Sequence, residues 1–106
     1  EREIESLPED LKVEFLVLSE SLKKLGPLDL GMSYMKFLRH KLWEIRLQGT
    51  QSIARSIFIM AAGREILILN TFIKRTQQTP LRELKLAEKR LKRWENDREE
   101  RKKRTR

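Results

Sequence analysis

The sequence predicts an α+β domain: a small antiparallel sheet packed with an N-terminal and a C-terminal helix. Two helical periodicities and a block of strand-like runs between them point to the class. Apolar residues recur at spacings of three and four over residues 6–25 and again over 80–94. Three runs at 42–47, 53–60 and 66–73 are joined by connections short enough to favour an antiparallel meander. The length, 106 residues with 39% apolar side chains, supports one domain with a small core.

The first helix is expected over 6–25, with Ser6 as N-cap, Pro8 in the first turn, and Glu9 and Asp10 at the positive end of the dipole. Its apolar face is Leu7, Leu11, Phe15, Leu18, Leu22 and Leu25, and Gly26-Pro27 stops it. Residues 26–41, with Gly26, Pro27, Asp29, Gly31 and Ser33, read as a loop. In the first strand Trp43, Ile45 and Leu47 share one face and Glu44 and Arg46 the other. Turns at Gly49 and at Ala62-Gly63 lead into the next two strands. The last helix starts with Thr79 as cap and Pro80 at the first helical position, and Leu81, Leu84, Ala87, Leu91 and Trp94 line its core face. Residues 1–94 are then the domain. Residues 95–106 form a basic charged tail that extends the helix and is expected to fray, since no apolar residue follows Trp94.

Composition excludes several chemistries. There is no cysteine, which removes disulfides, thiolate metal sites and a cysteine nucleophile. A single histidine, His40, rules out a multi-histidine metal centre or a histidine-pair nuclease. No apolar run approaches the roughly 18 residues of a membrane span, and no secretory signal is visible, so a cytoplasmic protein without a membrane partner is expected. The net charge of +8 points to an acidic partner, most simply nucleic acid. That charge is uneven: residues 1–25 carry −3, residues 26–81 carry +5 and residues 82–106 carry +6.

The most informative stretch, TFIKRTQQTPLRELKLAEKRLKRW, runs from a strand through a polar turn into a capped basic helix. With Leu22 and Leu25-Gly26-Pro27, Lys36-Phe37-Leu38, Leu42-Trp43-Glu44-Ile45-Arg46 and Arg55 to Phe58, it resembles the RelE/ParE toxin superfamily, and its phage-derived HigB-like branch in particular. That branch carries L-x-x-G-P, K-x-L, L-W-E-L-R, G-x-x-R-x-x-Y and F-x-K-K-T-x-x-T-P-x-x-E in this order, and the likeness covers residues 5–94. The resemblance implies the toxin of a type II toxin–antitoxin system. Such a toxin is a ribosome-dependent mRNA endoribonuclease that cuts the message in the A site and needs no metal or cofactor. Its implied partners are the ribosome with its mRNA and a helix-turn-helix, HigA-like antitoxin that would join it in a hetero-oligomer.

Metal-free RNA cleavage uses the neighbouring 2′-OH as nucleophile and requires a base, a cation for the charge growing on phosphorus, and an acid for the leaving oxygen. With one histidine, lysine and arginine must supply most of this. The catalytic candidates are Lys36, Arg55, Lys74 and Arg75; Arg46, Thr76, Thr79 and Lys85 are candidate RNA contacts. Lys36 takes its role from the resemblance. Arg55, inside a strand, needs a partner or a cleft. Arg46 is open to a phosphate or to a salt bridge with Glu44 or Glu65, and Lys74 and Arg75 lie beside a helix N-terminus suited to an anion.

Three departures from the family pattern stand out. Phe58 replaces the usual tyrosine, His40-Lys41 replaces a small or acidic turn, and the strand that precedes the first helix in related toxins is absent. His40 is a proton carrier by residue type only, and Tyr34 could stack on a base or pack under the loop. Two alternatives remain open: a ParE-like gyrase-inhibiting toxin, and a non-enzymatic nucleic-acid-binding protein.

Overall fold

The computed structural model describes residues 2–25, 35–61, 65–74 and 78–104. Two helices, α1 (Arg2–Glu5) and α2 (Glu9–Leu25), precede strands β1 (Met35–Arg39), β2 (Leu42–Gln48), β3 (Ile53–Met60) and β4 (Ile66–Ile73), and α3 (Leu81–Arg104) follows. The strands form one antiparallel sheet in the order β1-β2-β3-β4, a meander as expected. It has four strands rather than three, because Met35–Arg39 is a strand and not loop.

Period-2 alternation gives the sheet two apolar faces, and each is covered by helix. Met35, Ile45, Leu47, Ala54 and Phe58 meet Leu7 and the α2 stripe Leu11, Phe15, Leu18 and Leu22. Each fully buried side chain of this kind contributes about 1.5–3 kcal/mol. Leu25, expected on the same stripe, is exposed. On the other face Leu42, Ile57, Ile59 and Leu69 pack with Ala87, Leu84, Leu91 and Trp94 of α3. With both faces covered, β3 is buried from Ala54 to Ile59. Phe58 is a core residue on the α2 side.

Two local expectations change. Ser6 does not cap α2: its hydroxyl donates to the Glu3 carbonyl at 2.8 Å and closes α1, while the Pro8 carbonyl accepts from Leu11 and Lys12. The helix α3 runs unbroken to Arg104, well past Trp94, instead of fraying there, and Arg98 lies over the Trp94 ring at 5.3 Å. The outer edge of β4 receives side chains from α1 and α3. Thr71 N–H donates to Glu3 Oε1 at 3.0 Å, Arg90 Nη1 donates to the Leu69 carbonyl at 2.7 Å, and Glu3 and Arg90 pair with each other.

The two turns flanking β2 explain two residue choices. In the β2–β3 turn, Asp10 of α2 accepts from Thr50 N–H at 2.7 Å and from the Thr50 hydroxyl at 3.1 Å. The Thr50 N–H, more than any other group, holds the Asp10 carboxyl below its usual range. A Cβ on Gly49 would stand 2.5 Å from Asp10 Oδ2, so a side chain here displaces the Asp10 carboxylate from its bonds. Gly49→Ala is expected to push Asp10 off Thr50 and destabilise the fold by about 1–3 kcal/mol, read as a lowered Tm. In the β1–β2 turn, His40 has φ 55°, a left-handed conformation that strains any residue with a Cβ. His40→Gly is expected to raise stability by up to about 1 kcal/mol, measurable in the same melt.

Candidate functional site

Register decides which charged side chains meet. On the α3 side of the sheet Lys36 of β1 lies opposite Glu44 of β2, and Arg46 lies opposite Arg55 of β3. Lys74, which follows β4, and Thr79, which precedes α3, both stand at this end. Glu44 is 0% exposed and Arg55 2%, and they form an ion pair of 3.0 Å, Arg55 Nη1 to Glu44 Oε1. The Thr79 hydroxyl completes the group by donating to Glu44 Oε2 at 2.5 Å and accepting from Arg55 Nη1 at 3.2 Å. A buried pair of this kind holds only because each charge is matched and hydrogen-bonded.

The Thr79 hydroxyl is therefore engaged by the buried pair rather than by the first turn of α3. It ties the helix entry to the buried pair, with Pro80 accepting from Glu83 and Leu84 to open the helix. Glu44 is the residue that sequence reasoning missed: it appeared only as a possible partner of Arg46, whereas it pairs with Arg55. Arg46 is exposed and belongs to no ion pair among the described residues.

Beside this group a cleft of about 550 Å³ is lined by Arg46, Gln48, Ile53, Arg55 and Lys74, with Leu47 and Glu14 completing the wall. Lys74 is half-buried, and its backbone N–H donates to the Ile53 carbonyl at 2.7 Å, which fixes it at the mouth of β3. Its ammonium has a lowered pKa. Desolvation is the first cause, Arg55, Arg46 and Lys36 add to it, and Glu44 opposes it. Lys36 itself is exposed on β1.

The fold thus brings together Lys36, Arg46, Arg55, Lys74 and Thr79 from the candidates named above. Lys85 lies elsewhere, on the exposed side of α3. Arg75, Thr76 and Tyr34 lie outside the described residues. His40 sits in the β1–β2 turn, at the opposite end of β2 from the cleft-lining Arg46 and Gln48. No helix among the described residues is long and apolar enough to cross a membrane.

The arrangement is suited to a polyanion. Arg46 and the half-buried Lys74 line an open cleft, and the buried Arg55–Glu44 pair stands beside them in its wall. No curated protein matches the chain. Residues 2–92, most of its length, match the family described as phage-derived protein Gp49-like (DUF891). The chain belongs to this Gp49-like, phage-derived family, a family of RelE/HigB-like toxins.

Proposed function

We propose that this chain is the toxin of a type II toxin–antitoxin pair and acts in the cytoplasm as a ribosome-dependent mRNA endoribonuclease of the HigB-like kind. The observation that supports this best is the cleft in which Arg46 and Lys74 stand beside the Arg55–Glu44 pair, with Lys36 near enough to depress the proton affinity of Lys74.

Each group has a part. Neutral Lys74, favoured by its lowered pKa, takes the proton of the 2′-OH. The 2′ oxygen attacks phosphorus and the bond to the 5′ oxygen breaks, leaving a 2′,3′-cyclic phosphate and a 5′-OH. Arg46 binds the non-bridging oxygens through its guanidinium fork. Protonated Lys36 supplies the proton to the leaving oxygen. Arg55 is held by Glu44 and Thr79, and it acts as a positioning residue in the cleft wall, where its charge keeps Lys74 deprotonatable. The partners in this reading are the ribosome with mRNA in its A site and a helix-turn-helix antitoxin bound as a hetero-oligomer.

Primer extension on an mRNA translated in a reconstituted system tests the reading. Cuts are expected only when ribosomes are present, and they should disappear with Lys74→Ala/Arg46→Ala. Uncut mRNA in this system together with loss of gyrase supercoiling activity would instead support the gyrase-directed alternative.

A further inference from the structure

The outward face of α3 carries a second cationic surface, separate from the cleft. At 100° per residue, Arg82, Lys85, Lys89, Lys92 and Arg93 fall within about 100° of arc, opposite the buried stripe Leu84, Ala87, Leu91 and Trp94. All five are exposed, and none takes part in an ion pair among the described residues. The acids of this stretch lie on the flanks and are engaged. Glu88 accepts from Arg39 at 2.6 Å, and Glu83 accepts from Asn70 at 3.4 Å. The stripe is about 16 Å long on a straight helix. It ends at Arg93, since Asn96, Asp97, Glu99 and Glu100 interrupt the charge beyond Trp94.

From this geometry we propose that the α3 stripe docks the sugar–phosphate backbone of double-helical RNA. Five unneutralised cations in a rigid row complement a row of phosphates. The face has no aromatic side chain, because Trp94 packs against the sheet, so it lacks the stacking platform that single-stranded RNA requires. Binding through phosphates alone is insensitive to sequence and steeply dependent on salt. The stripe begins one turn after Thr79, which is bonded to the Glu44–Arg55 pair, so a duplex seated here lies beside the cleft without filling it. Binding by this surface does not depend on whether the cleft cleaves RNA.

The test is fluorescence anisotropy with a 20-base-pair RNA duplex over a potassium chloride series. It compares the wild-type chain with Lys85→Gln/Lys89→Gln/Lys92→Gln and with the matching triple arginine variant. Glutamine keeps helix propensity at these exposed positions, and circular dichroism verifies the fold. The glutamine variant is expected to bind at least about tenfold more weakly, and its log–log salt slope should fall by about 2–3, near 0.9 per lost phosphate contact. The arginine variant should bind like the wild type. The proposal is overturned if the wild type does not bind the duplex, if the glutamine variant keeps the wild-type slope, or if single-stranded RNA of the same length binds through the same three lysines equally well.

Discussion

Glu44→Ala is expected to destabilise the fold by about 3–5 kcal/mol, because it leaves the Arg55 guanidinium charged and unmatched at 2% exposure. For a domain of this size that corresponds to a fall in Tm of well over ten degrees. Arg55→Met alone should act in the same direction by stranding the Glu44 carboxylate beside Thr79. The double variant Glu44→Leu/Arg55→Met is the informative one. Two apolar side chains of similar volume replace a buried pair at little net cost, so most of the lost stability should return in thermal denaturation. Cleavage should lag behind stability, because loss of the Arg55 charge, the larger influence on Lys74, outweighs loss of the opposing Glu44 charge. Recovery of both stability and cleavage would show that the pair is only part of the core.

The largest effect on rate is expected at Lys74. Removing a positioned base lowers the chemical step by about 10²–10⁴-fold, and Lys74→Met should fall in that range with little change in Tm. Lys74→Arg retains the positive charge but cannot release a proton near neutrality. If Lys74 served only to hold phosphate, arginine would restore much of the rate; as a base it should not. The pH profile gives an independent reading. Below the pKa of Lys74 the neutral fraction grows with pH, so the wild-type single-turnover rate should climb and level off below the usual lysine range, as the lowered pKa requires. Lys74→Arg should lose that climb.

Much of the fold is legible in the sequence, and the reasons are physical. The bounds Ile53–Met60 and Ile66–Ile73 can be read directly because β-branched and aromatic runs end at turn residues on both sides. The α2 stripe follows from its 3.6 period. The strand Met35–Arg39 is not visible for two reasons: it is only five residues long and follows a Gly- and Pro-rich stretch, and a register shift between Phe37 and Arg39 breaks its alternation.

The site is legible by residue type but not by pairing. Alternation places Glu44 and Arg46 on the face opposite Trp43, and this is how they stand. That the same face is buried at Glu44 depends on the chain crossing it between β4 and α3. That Glu44 selects Arg55 depends on inter-strand register, which no local pattern encodes. Thr79 illustrates the same limit: a hydroxyl before a proline reads as a helix cap, yet the buried ion pair competes for it and wins. Lys74 stands out as a candidate because it ends a strand beside a helix entry, and Arg46 because alternation sets it opposite the core.

Under the proposed function, lysine and arginine side chains of this cleft drive attack by the 2′-OH on the adjacent phosphate. The most direct measurement uses an mRNA with a single 2′-deoxy nucleotide at the cut position, bound to ribosomes and incubated with the toxin, with the ends of the cut all-ribose control analysed in parallel. The control should end in a 2′,3′-cyclic phosphate and a 5′-OH, and no cut should occur at the deoxy position. Cleavage of the deoxy message, or products ending in 3′-OH and 5′-phosphate, would contradict it.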